Sequence, residues 1–371
     1  MPAARPRRAR QPRVTISDVA HRAGVSLATV SHVLNRANGH VGGATRTRVL
    51  RVIRDLGYRP SAVAQSLAAR RTQTIGLIVA DVADPFFAPI AMGVEQAAER
   101  QGYGVLLCQA PSLGAERRYA AVLEAKRVDG VILASHSVRQ PNAHLLGLVE
   151  RGIPVVAVNR PLPPCSVDWV GFDYAGAGAA AVAHLVGLGH RALGCVTGPV
   201  AGRQAYLSAK GAEEGFRRGV LAADLPLVRR WMISVPFSYE AGFALGREIA
   251  CWPSRPTAFV VASEDLALAT IRGLRSAGLR VPQDVAIVSL GDAPFVEYTE
   301  PSLSAVRFPL EASGRRAVAL FLQRLQSPHH PPAREILRGD LIVRESCGAR
   351  TVATASAGAG RPPSRIAKER A

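Results

Sequence analysis

From Ile75 onward one pattern of hydrophobicity occurs twice, and it restricts the chain to very few folds. The runs IGLIVA, YGVLLC, GVILAS and PVVAV are short and continuously apolar, and they alternate with helical periodicity near 87–100, 115–126 and 142–151. A strand that is apolar throughout is covered on both faces, which requires a parallel sheet with helices on either side. The same order then returns. LGCVTG, WMISV, AFVVA and VAIVSL alternate with helical stretches near 207–221, 239–250 and 265–277, and a helix near 310–325 and the strand-like RGDLIVRES close the chain. The expected class is therefore α/β: a small all-α head followed by two doubly wound parallel-sheet lobes.

The head is read from Val14 to Arg36, VTISDVAHRAGVSLATVSHVLNR. Thr15 followed three residues later by Asp18 is a capping box that opens a helix. Val19, Ala20 and Ala23 form its apolar face, and Gly24 supplies the left-handed residue that ends it. Ser26 caps a second helix whose Val30, Val33 and Leu34 share one face. Two short helices joined by a glycine turn form a helix-turn-helix, in which the start of the second helix meets base edges in the major groove. Leu27, Ala28 and His32 point away from the apolar face and are the candidate base readers, while Thr15, Ser26, Thr29, Ser31 and Tyr58 are candidates for phosphate. A third helix, 45–56, carries Val49, Val52, Ile53 and Leu56 at helical spacing and ends at Gly57, Tyr58 and Pro60.

Charge separates the head from the body. The net charge is +18, and residues 1–71 hold 14 arginines against Asp18 and Asp55, while residues 349–371 hold five cations against Glu369. The body between them is nearly neutral, so strong, salt-sensitive attraction to phosphate is expected at the ends. Five cysteines without a C-x-x-C pair fit neither a disulfide framework nor a zinc site and point to a reducing compartment. The basic start leads into an amphipathic helix and not an apolar core, so a signal peptide is not expected. The longest mostly apolar run, Gly176 to Gly189, is too short to span a bilayer.

The motifs VTISDVAHRAGVSLATVSHVLN, then TR, then LGYRPSAVAQSLA resemble the amino-terminal domain of the LacI/GalR family of bacterial transcriptional regulators, and the similarity runs nearly to residue 348. Members of that family look like periplasmic sugar-binding proteins fused to a DNA-binding head. Composition without periodicity makes 1–13 a basic, disordered arm and 349–371 a basic, disordered tail; between them the resemblance implies a helix-turn-helix domain (14–60), a hinge helix and linker (61–71) and a two-lobed effector-binding and dimerisation domain (72–348). It makes Ser61 to Ala68 the hinge helix and Leu67 a base-contacting wedge inserted into the minor groove. A helix this short folds only against a partner, and an apolar wedge kinks the duplex. The resemblance also implies three crossovers between the lobes, placed near 160–173, 304–309 and 328–334. The tail lacks a leucine heptad, so a homodimer is expected and not a coiled-coil tetramer.

Open sheets bind ligands beyond the carboxyl ends of their strands, and two facing lobes make a cleft there. The residues singled out for the effector are Phe86, Phe87, His136, Asn159, Arg160, Lys210, Phe237, Glu264 and Asp292. Several positions depart from the family pattern. Ala212 stands where an effector-gripping arginine is usual, and Gly291 replaces the first aspartate of a usual G-F-D-D. Ser263-Glu264 takes the place of Asn-Asp, and Asn159 that of an aspartate. Without the guanidinium fork an ordinary hexose is a poor fit, and Lys210, Arg203 and Arg160 are left to supply positive charge. An unusual ligand or a weak site is the expectation.

The sequence GAGAAA at 176–181 matches a loose dinucleotide pattern but lacks an acidic residue about 20 positions on. With no P-loop lysine, no G-x-S-x-G and no metal-spaced cluster, neither an enzyme nor a cofactor is expected. The expectation is a sequence-specific regulator of the repressing kind, bound to a pseudo-palindromic double-stranded operator and controlled by a sugar-like or other small metabolite. It would act in the cytoplasm on the nucleoid, without a membrane. The alternative is a small-molecule-binding protein or α/β enzyme with only non-specific DNA affinity.

Overall fold

The structure, a computed structural model, describes residues 14–34, 41–58, 71–135, 141–162, 167–202 and 205–349. The chain divides into two compact units, 1–73 and 74–371. In the first, α1 (Ile16–Ala23), α2 (Leu27–Leu34) and α3 (Gly43–Asp55) bury Val19, Ala20, Ala23, Val30, Val33 and Val49 among themselves. The third helix starts two residues before its expected position, at Gly43, and the Thr47 hydroxyl donates to the Gly43 carbonyl one turn back.

The second unit holds two six-stranded sheets of matching topology. The first is built from β1 (Thr74–Val79), β2 (Gly104–Gln109), β3 (Gly130–Ala134), β4 (Val155–Val158), β5 (Asp168–Phe172) and β11 (Arg334–Leu337), in the order β11-β5-β4-β3-β1-β2 and parallel throughout. The second contains β6 (Leu193–Thr197), β7 (Met232–Ser234), β8 (Ala258–Val261), β9 (Ala286–Ser289), β10 (Ser304–Arg307) and β12 (Asp340–Ile342), in the order β12-β10-β9-β8-β6-β7. Its β10–β12 pair is antiparallel and its other pairs are parallel. Residues of β3, β4, β6, β8 and β9 are buried without alternation, as expected of strands covered on both faces.

The helices of this unit are α4 (Phe87–Arg100), α5 (Leu113–Ala125), α6 (Ala143–Glu150), α7 (Tyr174–Gly187), α8 (Leu207–Ala222), α9 (Tyr239–Ala250), α10 (Glu264–Ser276) and α11 (Leu310–Gln326). In GAGAAA, Gly176 gives its amide to the Asp173 cap of α7 and Gly178 serves packing. A Cβ on Gly178 would lie 2.9 Å from the Ala212 carbonyl oxygen of α8, so the two backbones touch where larger residues would hold them apart. Among the described residues no helix is long and apolar enough to cross a membrane.

Two crossovers fall within their expected ranges and the third does not. The chain leaves the first sheet at Asp173, between β5 and α7, and returns at Phe308-Pro309, between β10 and α11, which packs on α4 and on β4 and β5. The third passage is at Arg338-Gly339 and not at 328–334, because Arg334–Leu337 still pairs with Trp169–Phe172 in the first sheet. The stretches read as linkers are thus partly sheet. Asp168 anchors this region, accepting two hydrogen bonds from Arg324 at 2.9 and 2.8 Å and one from the Ala333 amide at 2.8 Å.

Candidate functional site

The head's two reading helices are held by side-chain caps. The Thr15 amide donates to Asp18 at 2.8 Å and the Asp18 amide to the Thr15 hydroxyl at 3.3 Å, closing the capping box. The Thr15 amide and hydroxyl, both donating to its carboxylate, hold the Asp18 carboxyl below its usual range. Gly24 at φ 61° ends α1, and Ser26 accepts the Thr29 amide at 3.1 Å to begin α2. Leu27 is 51% exposed, and Ala28 and His32 are exposed on the same short helix. A shallow hollow beside them is lined by Ser26, Ala28, Thr29, His32, Thr45 and Arg48 among others, so it joins the start of α2 to the start of α3. Arg48, on α3, was not among the DNA contacts selected from the sequence. Thr15 and Ser26 are engaged in capping, Ser31 is half-buried, and half-buried Tyr58 packs on the head's core. Leu67 and the hinge segment 61–68, the arm 1–13 and the tail from Arg350 lie outside the described residues.

In the second unit a cavity of about 240 Å³ opens at the carboxyl ends of the strands of both sheets. Asp84, Pro85, Phe86 and Pro89 come from the segment after β1, and Phe237, Ser263, Glu264 and Asp265 from those after β7 and β8. Tyr174, Phe308 and Leu310 come from the crossovers, and Tyr206 and Ser208 from the start of α8. The aromatic rings form a connected floor, with centroids 5.8 Å apart for Phe86–Phe172, 5.5 Å for Phe172–Phe308 and 4.9 Å for Tyr174–Phe308. Tyr206 meets Phe237 at 5.1 Å on the other side. Because Phe172, Tyr174 and Phe308 border the crossovers, this floor connects the cavity to the segments that join the lobes.

The predicted effector residues separate into two groups. Phe86, Phe237 and Glu264 line the cavity. Phe87 instead lies in the core of the first lobe, 1% exposed. Arg160 is also 1% exposed, donating to Glu116 at 2.9 Å and to Asn142, while His144 sits 2.7 Å from the same Glu116. A guanidinium so engaged has no reach into the cavity. Asn159, buried at φ 65°, accepts from the Tyr174 hydroxyl at 2.9 Å and donates to the Ser135 carbonyl at 3.3 Å, so it positions a wall residue. Lys210 is exposed and Ala212 is buried against the second lobe's core. Asp292 borders the cavity, but its carboxylate takes Arg307 at 2.6 Å and Arg344 at 2.7 Å. His136 and Arg203 lie outside the described residues.

Electrostatically the cavity is acidic. Burial raises the Glu264 carboxyl to about 7, with Asp265, Asp84 and Asp292 adding to the rise against hydrogen bonding at its own backbone. Burial likewise raises Asp265, although the Tyr239 hydroxyl donates to it at 2.7 Å and opposes the shift. Burial, with Glu264 and Asp84 nearby, pushes the Tyr174 phenol far up and keeps it protonated. Tyr174, Tyr206 and Phe308 were missed in the sequence because no strand-end rule selects residues from crossovers or helix starts.

Residues 15–61 match the family description "Bacterial regulatory proteins, lacI family", and residues 182–347 match "Periplasmic binding protein-like domain". The chain is 35% identical to the HTH-type transcriptional regulator CelR of Thermobifida fusca, covering 91% of this chain and 99% of that one. It is 30% identical to the HTH-type transcriptional repressor PurR of Photobacterium profundum, covering 90% and 98%. Among solved structures it resembles a CelR–cellobiose complex with a TM-score of 0.68, 34% identity and coverage of 90% and 100%. It also resembles the lac repressor dimer bound to operator and the anti-inducer ONPF, with a TM-score of 0.80, 25% identity and coverage of 91% and 100%. These relatives are transcriptional regulators and not enzymes.

Proposed function

The chain belongs to the lacI family of bacterial regulatory proteins, and we propose that it works as a homodimeric repressor whose operator affinity is set by a small molecule held between its lobes. It is a DNA-binding transcriptional regulator. The observation that carries the finer reading is the exposure of Leu27, Ala28 and His32 on a helix fixed by the Ser26 cap. An apolar side chain held outward at a helix start suits contact with thymine methyl groups in the major groove. In this reading His32 and Ala28 accompany it on base edges. Thr29, Ser31, Tyr58 and Arg48 face phosphate, and Leu67 of the 61–68 hinge wedges the central minor groove.

Two copies are needed to read a pseudo-palindrome. Strand β2 supports the pairing, since it is the edge strand of the first sheet and presents Leu106 at 43% and Leu107 at 52% exposure. An exposed apolar edge strand invites pairing with another chain, and a second copy covers it with the same surface. A ligand that draws the lobes together changes how paired hinges meet, and a coupling of about 1–3 kcal/mol alters operator affinity roughly 5- to 150-fold. The place of action is the cytoplasm, on the nucleoid.

The test is anisotropy with labelled DNA from the region upstream of its own coding sequence, against scrambled DNA of equal length. Preference for a palindromic site, reduced by Leu67→Ala much more than binding to scrambled DNA, is expected. Equal affinity for both DNAs would favour a small-molecule-binding protein with only non-specific DNA affinity.

A further inference from the structure

The start of α2 presents carbon where hydrogen-bonded base reading would need polar atoms. Its eight residues, LATVSHVL, include no arginine, lysine, asparagine, glutamine or carboxylate, so the helix itself makes none of the paired or carboxylate contacts by which side chains select guanine, adenine or cytosine. Its hydroxyls have local partners. The Ser26 hydroxyl accepts the Thr29 amide at 3.1 Å and lies 2.9 Å from the Thr29 hydroxyl, so the two hydroxyls pair with each other. Thr29 and Ser31 are also half-buried. What faces outward is Leu27, 51% exposed, then Ala28 and, one turn on from Ala28, His32. Leu27 belongs neither to the buried core of the head nor to the side chains packed against that core. Its burial becomes favourable when another apolar surface covers it, and on the base edges of the major groove that surface is the C5 methyl of thymine. Arg48 of α3 shares the hollow with Ala28 and His32 and brings charge there, not carbon.

We propose that the start of α2 selects its operator by a methyl group on a pyrimidine C5, covered by Leu27 with Ala28 beside it, so that 5-methylcytosine serves where thymine does and uracil does not. This rests on the reading of α2 as the recognition helix and specifies what that helix recognises. Ala28 contributes by being small, since with nothing beyond Cβ it lets the helix approach until Leu27 covers the methyl. His32 is the side chain of this exposed face that can hydrogen-bond a base edge, and it supplies the directional contact that a methyl lacks. Methylation of cytosine at C5 leaves every donor and acceptor of the base pair in place and adds the group that Leu27 covers. Binding at such a position is therefore tightened by cytosine methylation.

The experiment selects the best-bound palindrome from random double-stranded DNA with the full-length protein, then replaces each thymine by uracil, symmetrically in both half-sites. Uracil lacks only the methyl, so the exchange leaves untouched every hydrogen bond, including those of Arg48 and of Asn35 and Arg36 beyond the described end of α2. At one position per half-site affinity should fall about fourfold for each methyl and roughly 15-fold for the pair. At that position 5-methylcytosine should bind more tightly than cytosine by a similar factor. Leu27→Ala and, separately, Leu27→Gln should bind the thymine and uracil forms equally; the side chain lies outside the head's core, and two variants guard against one that misfolds. Equal affinity for thymine and uracil at every position, no gain from 5-methylcytosine, or a methyl effect that survives both variants would overturn the proposal. The selection separates the readings. If a palindrome emerges but uracil binds as thymine does, only the methyl contact is lost; if none emerges, the regulator reading falls with it.

Discussion

The carboxylate of Glu264 occupies the space in which a side chain at residue 291 would stand, since a Cβ on Gly291 would lie 1.9 Å from Glu264 Oε2. Two departures from the family pattern are thus one exchange. The aspartate missing at 291 is balanced by an acid at 264 one methylene longer than the usual aspartate, which brings a carboxylate over the bare glycine. Gly291→Ala is predicted to displace Glu264 and abolish the response to cleft ligands while leaving operator affinity without ligand unchanged. Titrating operator-bound protein with an active compound checks this.

Glu264 also destabilises the folded chain at neutral pH. Its carboxyl is raised from 4.5 to about 7, so between those values the native state holds a proton that the unfolded chain releases, and stability falls as pH rises through that window. Glu264→Gln is predicted to be more stable than the parent above pH 7 by on the order of 1–3 kcal/mol and equal to it near pH 4. Urea unfolding at both pH values measures the difference.

Arg160, expected from the sequence to grip an effector, holds the first lobe together. It pairs with Glu116 in a site where the two side chains are 1% and 5% exposed. Removing one partner of a buried pair leaves the other charge uncompensated, so Arg160→Met is predicted to cost about 3 kcal/mol in denaturant unfolding. Ligand affinity of the folded fraction should be unchanged. A stable variant with lost ligand binding would return Arg160 to the site.

Across β2, Leu107→Lys is predicted to convert the dimer to monomer in sedimentation velocity and to weaken operator binding with it, since a charge on each copy meets its equivalent across a two-fold axis. A dimer of unchanged affinity would place the interface elsewhere.

In the head, Arg48→Ala should weaken binding to operator and scrambled DNA alike and reduce the salt slope by about one. His32→Ala should instead lower operator preference while leaving scrambled DNA almost unaffected, because base contacts carry sequence information and phosphate contacts do not. Salt titrations on both DNAs distinguish the two.

Elements with strong local signals were legible in the sequence. The Thr15–Asp18 box, the glycine turn and the continuous apolar runs of β1, β3 and β8 each depend on neighbours within a few residues. Strands β10 and β11 were not legible as strands, because they lie in stretches where the chain changes lobes and their pairing is with distant segments such as Trp169–Phe172 for β11. The cavity was half legible. Strand-end logic selected Phe86, Phe237 and Glu264, but it also selected Arg160 and Asp292, whose partners Glu116, Arg307 and Arg344 are remote in sequence. Whether a strand-end charge faces a ligand or a counter-ion is decided by tertiary packing, which no local pattern encodes.

The most direct test of ligand control is fluorescence anisotropy on upstream DNA with protein at half-saturation, adding fractions of a small-metabolite extract separated by charge. The prediction is that at least one fraction shifts the anisotropy, and that Glu264→Gln, a change in the cavity wall, removes the shift while palindrome preference persists. An unchanged signal from every fraction, with specific binding intact, would contradict it and mean that the cavity does not govern operator affinity.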